Sequence, residues 1–251
     1  MHYLFRLSSY EQQFSAEGQL LLLGFTNIYI VEEEANILLG AYHDEIVEID
    51  FLELIKVENQ PEIDWEQQWS DHAEHYIDGA FSYELTNGKK LLMEPGAGFG
   101  DLSHPTTILM IQALETYVLD KEVIDLGAGS GVLSLASSLL GAKRIFGIEI
   151  DKLGLSHCEV NKKLNQISNI EFSQYLPKEC ETLKSPIILM NMTLGDQNCL
   201  FSANPSIRKI PGTWIVSGIL ENQVDQLERA FDKKAYSIKS LNGWSRVIFN
   251  S

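Results

Sequence analysis

The first 60 residues alternate between apolar and polar positions in short runs that predict a small α+β domain. The strand candidates, which have a period of two, are residues 2–7, 27–32 and 36–42. Residues 9–23 repeat apolar side chains at helical spacing, and Gly24 follows where a left-handed capping residue is expected. An acidic turn at residues 33–35 separates two of the strands, and residues 45–57 show no clear period. We therefore expect an α+β domain over residues 1–60.

A helical pattern follows this domain. Pro61 marks a break in the chain, and Asp64 can cap a helix that begins after it. The side chains at helical spacing are Trp65, Trp69, Ala73 and Tyr76. His72 and His75 are spaced like metal ligands, but metal sites need three or four ligands and no third is in view, so we predict no metal. Residues 61–90 are expected to be a linker helix and connector.

From residue 91 to residue 251 strand and helix patterns alternate, as in a parallel sheet covered by helices on both faces. The strand runs are residues 122–126, 144–148, 170–172, 187–190 and 214–217. The helical runs are residues 132–140, 153–164 and 221–231. Two last strand runs, 235–241 and 245–249, are joined by Asn242-Gly243, a strong hairpin signal, so the last strand should be antiparallel. The pattern predicts an α/β fold: the doubly wound, mostly parallel seven-stranded sheet of class I methyltransferases, with a C-terminal antiparallel hairpin.

Composition narrows the class of protein. Apolar residues make up 45% of the chain and charged residues 22%, as in globular proteins. No apolar run approaches the roughly 20 residues that span a bilayer, and the first residues do not resemble a signal peptide, so we expect no membrane association. The three cysteines, Cys158, Cys180 and Cys199, form no Cys-x-x-Cys pair, which favours reduced thiols in a cytoplasmic protein over a disulfide framework or a zinc site.

The net charge of −16 is unevenly spread along the chain. Residues 1–60 hold two cationic side chains, Arg6 and Lys56, against eleven acidic ones. Such a field repels a phosphate backbone and attracts a basic protein. We therefore expect no direct binding of nucleic acid, and the acidic domain either guides a basic partner or only keeps the protein soluble.

The sharpest local signal is a strand that ends in alternate glycines. Residues 123–131 read Val-Ile-Asp-Leu-Gly-Ala-Gly-Ser-Gly, so Asp125 lies in the strand, and Gly127, Gly129 and Gly131 open the next helix. Glycines suit a loop that turns sharply and lets a ligand approach. Glu149 ends the next strand, where a ribose-binding carboxylate is expected. These features predict a site for a nucleoside-containing cofactor.

A nicotinamide dinucleotide is the alternative ligand for this outline. Rossmann oxidoreductases need the spacing Gly-x-Gly-x-x-Gly, and Val132 occupies the position of the third glycine. That glycine lets a helix approach beneath a pyrophosphate, and S-adenosylmethionine has no phosphate. We therefore expect S-adenosylmethionine rather than NAD.

A second glycine-rich segment precedes the domain's first helix. Residues 93–107 read Met-Glu-Pro-Gly-Ala-Gly-Phe-Gly-Asp-Leu-Ser-His-Pro-Thr-Thr, which predicts a mobile loop and a helix capped by Thr106 or Thr107. Here the chain resembles the PrmA family, the methyltransferases of large-subunit ribosomal protein eleven, which carry Glu-Pro-Gly-x-x-Phe-Gly-Thr-Gly-x-His-x-Thr-Thr. The matching residues are Glu94, Pro95, Gly96, Phe99, Gly100, His104, Thr106 and Thr107. The resemblance continues through Asp64-Trp65, Trp69, Asn191, Ser217-Gly-Ile-Leu220 and Trp244.

The resemblance implies a cofactor, a partner and a domain function. The loop is expected to close over the methionine end of S-adenosylmethionine, and the N-terminal domain is expected to be ferredoxin-like and to hold a basic ribosomal protein as substrate. The cofactor-binding residues are expected to be Phe99, Gly100, Thr106, Thr107, Asp125, Gly127, Gly129, Gly131, Glu149 and Asn191. Asp101-Leu102 departs from the Thr-Gly of the family motif.

Asn191 is the candidate catalytic residue. Methyl transfer to an amine needs an aligned, neutral nucleophile rather than strong acid–base catalysis. Asn191 follows the fourth strand run, where its carbonyl oxygen can accept a hydrogen bond from the lysine side-chain amine or N-terminal amine of the substrate. The alternative is that Asn191 caps the following helix, since asparagine is a good N-cap.

Two other functions remain open from the sequence. Nucleic-acid amino-methyltransferases place Asp/Asn-Pro-Pro-Tyr/Phe after the fourth strand, and here Asn191 is followed by Met-Thr-Leu. A non-enzymatic or divergent member with lost or changed activity is the second alternative. We expect a monomeric, cytoplasmic protein N-methyltransferase.

Overall fold

The computed structural model describes residues 1–33, 36–43, 45–59, 76–77, 80–100 and 102–250. The chain forms two compact units, Met1–Ile63 and Asp64–Ser251. The linker helix expected from Asp64, with Trp65, Trp69, His72 and His75, lies outside the described residues, as does Asp101.

The first unit is a four-stranded antiparallel sheet with one helix. Its elements are β1 (His2–Leu7), α1 (Tyr10–Leu22), β2 (Thr26–Glu33), β3 (Asn36–Tyr42) and β4 (Glu53–Glu58). The strand order is β2-β3-β1-β4, which is that of the ferredoxin-like fold. In the described stretch from β3 to β4, residues 43 and 45–52 form no helix, so the second helix of that fold is not present there.

The core of this unit lies under α1. Tyr3 and Phe5 of β1 alternate inward and meet Phe25 edge-on, with ring centroids 5.0 and 6.3 Å away. Gly24 has φ +88°, so it ends α1 in the left-handed conformation that the sequence predicted. The sequence analysis was wrong to place Glu33 in the acidic turn, because β2 continues to that residue.

A three-stranded antiparallel sheet, β5-β6-β7, opens the described part of the second unit. It consists of β5 (Tyr76–Ile77), β6 (Ala80–Glu84) and β7 (Lys90–Met93). The sequence analysis did not predict this sheet. It was wrong to extend helical spacing to Tyr76, because that residue pairs with Phe81 in a strand.

The remaining elements alternate as predicted. The helices are α2 (Pro105–Tyr117), α3 (Val132–Leu139), α4 (Lys152–Leu164), α5 (Leu194–Ala203) and α6 (Val224–Phe231). The strands are β8 (Glu122–Leu126), β9 (Arg144–Ile148), β10 (Ile170–Ser173), β11 (Ile187–Asn191), β12 (Thr213–Leu220), β13 (Ser237–Leu241) and β14 (Trp244–Phe249). Short 3-10 segments occur at Lys178–Thr182, Ile207–Lys209 and Glu221–Gln223. The helix expected over 221–231 therefore begins with a 3-10 turn, and α5 was not predicted.

The seven-stranded sheet has the order β10-β9-β8-β11-β12-β14-β13. Its first five strands are parallel, and β14 is antiparallel to both β12 and β13. Asn242 and Gly243 both have positive φ, 50° and 81°, as a two-residue hairpin turn of type I′ requires. The predicted α/β fold class, with its C-terminal antiparallel hairpin, is therefore confirmed.

Separate hydrophobic cores lie on the two faces of this sheet. On one face Val123, Ile145 and Leu189 pack with α2 and α3. On the other face Ile124 and Met190 pack with α5 and α6. Because the strands are buried on both faces, they are continuous apolar runs, and their carboxyl ends meet along one edge.

Candidate active site

A cleft of about 700 Å³ opens at the carboxyl ends of β8, β9 and β11. The strand order reverses between β8 and β11, and open α/β sheets bind ligands at such a switch point. Six of the predicted cofactor-binding residues line this cleft: Phe99, Thr106, Gly127, Gly129, Glu149 and Asn191. They come from the glycine-rich loop, α2 and three strand ends, and the fold brings them together.

The other predicted residues lie behind the cleft wall. Gly100 is buried, and its carbonyl accepts a hydrogen bond from Ser130 Oγ at 2.9 Å. Thr107 is fully buried in α2, and its Oγ1 has no hydrogen-bond partner. Gly131 is the N-cap of α3, with φ +82°. These residues support the wall rather than face the cleft.

Asp125 lies beneath the first glycine loop. It is 1% exposed, and the Ser134 hydroxyl donates a 2.6 Å hydrogen bond to its Oδ2, which ties β8 to α3. Burial raises the pKa of Asp125 to about 6, and the Ser134 hydrogen bond opposes that shift. Asp125 is not among the residues lining the cleft, so the structure gives it a place under the loop rather than at the cleft surface.

Glu149 fixes the same loop from the side. Its Oε2 accepts the Gly129 N–H at 2.8 Å, and its Oε1 accepts the Asp151 N–H at 2.9 Å. A carboxylate has about four acceptor positions, so Glu149 retains lone pairs for hydroxyl donors in the cleft. The predicted ribose-binding carboxylate therefore also organises the glycine loop.

The two glycine-rich segments cross in contact. The Ser130 N–H donates to the Phe99 carbonyl at 2.9 Å. A Cβ on Gly98 would collide with the Gly129 backbone, and Gly129 itself has φ +59°. Glycine is required at both positions because the backbones approach this closely.

Asn191 ends β11 in the cleft, and its Oδ1 is a buried acceptor with no partner. The N-cap of α5 is Thr193, whose Oγ1 accepts the Asp196 N–H at 3.3 Å. The alternative in which Asn191 caps this helix is therefore wrong. A buried carbonyl oxygen without a donor is costly, so a ligand donor there would stabilise the site.

Aromatic rings line the rim near the second loop. His104 lies between Phe99 and Trp244, with ring centroids 5.3 and 5.0 Å away. His104 also caps α2, because its Nδ1 accepts the Thr106 N–H at 3.3 Å. The prediction of Thr106 or Thr107 as the cap was wrong, since Pro105 already occupies the first helical position.

Several cleft residues were not selected from the sequence. Ile150 lies two residues beyond the end of β9, Met192 directly follows the end of β11, and both line the cleft. Their position after strand ends was the available signal. Gly218 lines the cleft from β12, and a side chain there would collide with the Met192 backbone.

The cleft fits S-adenosylmethionine. Leu126, Ile148 and Ile150 supply apolar walls, and the Glu149 carboxylate lies among them. Gly127 and Gly129 expose backbone to the cleft where a Cβ would collide with Met192 or with the Phe99 backbone, and the Asn191 Oδ1 lacks a donor. Within the described residues no cluster of histidine, cysteine or acidic side chains has a metal-binding arrangement, and none of the described helices is long and apolar enough to cross a bilayer.

Comparison with known proteins places this site in a family. The family model described as "Ribosomal protein L11 methyltransferase (PrmA)" matches residues 11–251. The ribosomal protein L11 methyltransferase of Marinomonas sp. is 31% identical in an alignment of 208 positions that covers 77% of this chain and 69% of the relative. The ribosomal protein L11 methyltransferase of Pseudomonas fluorescens (strain Pf0-1) is 32% identical over 195 aligned positions. That alignment covers 73% of this chain and 67% of the relative.

Solved structures agree on the architecture. The ribosomal protein L11 methylase of Lactobacillus delbrueckii subsp. bulgaricus matches with a TM-score of 0.52 and 25% identity, over 62% of this chain and 82% of that one. The 16S rRNA methyltransferase RsmC of T. thermophilus matches with a TM-score of 0.54, over 96% of this chain and 62% of that one. The two sequences are 17% identical, so this match shows a shared fold alone. The chain therefore belongs to the ribosomal protein L11 methyltransferase (PrmA) family, and it is an S-adenosylmethionine-dependent class I methyltransferase.

Proposed function

We propose that this enzyme methylates amines of ribosomal protein L11, at lysine side chains, the N-terminal amine or both. The names of the relatives supply the substrate, and the unpartnered Asn191 Oδ1 in the cleft is the structural observation that carries the proposal. We further propose the ten residues predicted above as the cofactor site. The six that line the cleft would contact S-adenosylmethionine, and Gly100, Thr107, Asp125 and Gly131 would support them from behind.

S-adenosylmethionine supplies a methyl group on a positively charged sulfur. With the cofactor bound, the amine lone pair would form the new N–C bond as the S–C electron pair returned to sulfur, and the extra proton of the product ammonium would leave for solvent. Asn191 Oδ1 accepts one N–H of the neutral amine, which aims its lone pair at the methyl carbon. The residues of the chain therefore act by orientation, and Glu149 is proposed to hold the ribose hydroxyls.

A nucleic-acid substrate is less well supported by the same region. Asn191 is followed by Met192 and Thr193, and Thr193 caps α5 rather than offering an aromatic face for a base. The excess negative charge of residues 1–60 also disfavours a phosphate backbone.

We propose residues 1–60 as the substrate-recognition domain, residues 61–90 as a connector and residues 91–251 as the methyl-transfer domain. A monomer in the cytoplasm is proposed as well. Support for the compartment comes from free cysteines, because Cys158 and Cys180 are buried without a disulfide partner. Size-exclusion chromatography with light scattering tests the monomer.

In the decisive experiment the enzyme and labelled S-adenosylmethionine are incubated with one of three methyl acceptors. These are purified L11, total ribosomal proteins without L11, and ribosomal RNA. Mass spectrometry of digested L11 then locates the label. Labelled amines in L11 alone are the expected result. Label in RNA only, or no label despite cofactor binding, would contradict the proposal.

A further inference from the structure

His157 and Asn161 on α4, together with Asn165, the C-cap residue of that helix, are three polar side chains at a spacing of four. We call them the α4 polar stripe. Asn165 accepts the Leu92 N–H at 2.9 Å and donates to the Leu92 carbonyl at 2.6 Å. Asn161 accepts the Glu94 N–H at 2.8 Å. The stripe thus satisfies the backbone of the segment that leads from β7 into the second glycine loop.

His157 makes the last two bonds of this series. The Gly98 N–H donates to its Nδ1 at 3.1 Å, and its Nε2 lies 2.7 Å from the Glu94 carbonyl oxygen. Since an N–H can only donate and a carbonyl can only accept, the ring must be neutral with its proton on Nε2. His157 is 5% exposed, and that burial lowers the pKa of its side chain, which favours the neutral form.

The His157 ring also fills the space under Gly96. A Cβ on Gly96 would lie 2.5 Å from the ring, so the backbone rests directly on the imidazole. Residues 94–98 are therefore held at both ends and in the middle by one side chain. The sequence separation between His157 and Gly98 is 59 residues, so this contact comes from tertiary packing.

The position of Gly98 matters for the cleft. Gly98 and Phe99 both line it, and Gly98 lies against the Gly129 backbone with no room for a side chain. Asn161 binds the first glycine loop next to this contact, because its Nδ2 donates to the Ser130 carbonyl at 3.0 Å. Any shift of Gly98 would change the space between the two glycine loops.

We propose that His157 is a positioning residue for S-adenosylmethionine: it holds Gly98 and Phe99 over the first glycine loop in the arrangement that the cofactor needs. This proposal rests on the cofactor cleft described above and does not depend on the identity of the methyl acceptor. Of the two bonds, the one to Gly98 is the one that controls the cleft wall, whereas the bond to Glu94 anchors the start of the loop.

Two polar variants separate these bonds. His157→Asn places an amide oxygen near the position of Nδ1 and keeps the acceptor for Gly98. His157→Gln places an amide N–H near the position of Nε2 and keeps the donor for Glu94. His157→Ala removes both, and Asn165→Ala, on the same stripe, removes the bonds to Leu92 without touching Gly98 and serves as the matched control.

The measurements are the dissociation constant of S-adenosylmethionine by calorimetry, and hydrogen exchange of residues 96–100 in the free protein. We expect affinity to fall about tenfold in His157→Ala and nearly as far in His157→Gln, with faster exchange at Gly98 in both. His157→Asn should stay within about threefold of the wild type, and Asn165→Ala should lower the thermal midpoint without changing affinity.

Wild-type affinity and wild-type exchange in His157→Ala would overturn the proposal. Equal losses of affinity in His157→Asn, His157→Gln and Asn165→Ala would also overturn it, because the stripe would then act only through general stability. A wild-type enzyme that binds the cofactor and leaves L11 unmethylated would contradict the proposed substrate instead, and the affinities of the variants would still decide the role of His157.

Discussion

Glu149 at the end of β9 and Gly129 in the loop after β8 are joined by a 2.8 Å hydrogen bond from the Gly129 N–H to the Glu149 carboxylate. The bond crosses from one parallel strand to its neighbour and pins the glycine loop against the cleft. The other carboxylate oxygen accepts the Asp151 N–H, so the Glu149 side chain holds two backbone segments beside the proposed ribose position, the loop after β8 and the loop after β9. Loss of this carboxylate should therefore affect structure and binding together.

We predict that Glu149→Gln weakens S-adenosylmethionine binding at least tenfold and lowers the thermal midpoint by a few degrees. Glutamine turns one acceptor into a donor facing a backbone N–H, and it loses charge-assisted bonds worth about 1.5–3 kcal/mol each. Calorimetry and thermal unfolding measure the two effects. Asp151→Asn is the control, since it removes a nearby charge but keeps the acceptor for the Leu153 N–H. Similar affinity losses in both variants would indicate a general charge effect.

Asn191→Ala should reduce kcat about ten- to hundredfold and change cofactor affinity by less than about threefold, because the aiming bond forms only with the substrate amine. Stopped assays with L11 and calorimetry with the cofactor check the two halves. Thr193→Ala removes the cap of α5 and should cost about 1 kcal/mol of stability with little selective loss of kcat. Equal loss of kcat and cofactor affinity in Asn191→Ala would contradict the aiming role.

Asp125 should make stability depend on pH. Its pKa rises from 3.8 in the unfolded chain to about 6 in the fold, so the fold retains the proton after the unfolded chain has lost it. Protonation of Asp125 therefore adds to the free energy of unfolding. This contribution is complete below about pH 4 and is lost as the pH rises to about 6, a change of roughly 3 kcal/mol. Asp125→Asn keeps an acceptor for Ser134 and should remove this slope. Urea unfolding of both proteins from pH 4 to pH 7 measures it, and parallel curves would refute the assignment.

Leu102 combines a left-handed backbone with a buried side chain. Its φ is +66°, yet it is 4% exposed and belongs to the main core of the second unit. Leu102→Gly should relieve about 1–2 kcal/mol of backbone strain but lose about 2–5 kcal/mol of packing, so we expect net destabilisation. Asn242→Gly, at an exposed turn with φ +50°, is the matched case without buried packing, and its strain relief is offset by the greater freedom of glycine in the unfolded chain. Urea titrations should therefore show a much larger loss of stability for Leu102→Gly than for Asn242→Gly, and stabilisation by Leu102→Gly would show that its packing contributes little.

The sequence predicted those elements whose burial imposes a clear period. Residues 145–148 of β9 are buried, and their apolar run indicated the strand directly. Helix α5 buries only Gln197 and Phe201 as whole residues and contains Gly195, so it has no apolar stripe to detect. The β5 strand was missed because the helical spacing was extended to Tyr76, which lies in that strand.

The functional site likewise has residues that the sequence predicted and residues whose role only the fold explains. Gly127, Gly129 and Glu149 are local signals at strand ends, and the fold brings them into one cleft. The role of His157 depends on the packing of α4 against a loop 59 residues away, which no local pattern encodes. A leucine at positive φ is equally hidden, since leucine gives no sign of that conformation in sequence.

An acidic segment of the first unit offers the last prediction. Glu48 and Asp50 lie between β3 and β4 and are exposed, in a domain with few cationic side chains. If this domain guides basic L11, reversing both to lysine should slow L11 methylation several-fold at low salt when L11 is well below KM. The difference should shrink at high salt, because exposed charges are screened beyond a Debye length of about 8 Å in physiological salt. Cofactor affinity should stay unchanged. Reversal of Glu84 and Glu181, two exposed acids of the second unit, changes the net charge equally and should slow methylation less. Equal rates for all three proteins at low salt would show that the acidic segment acts only as a solubilising surface.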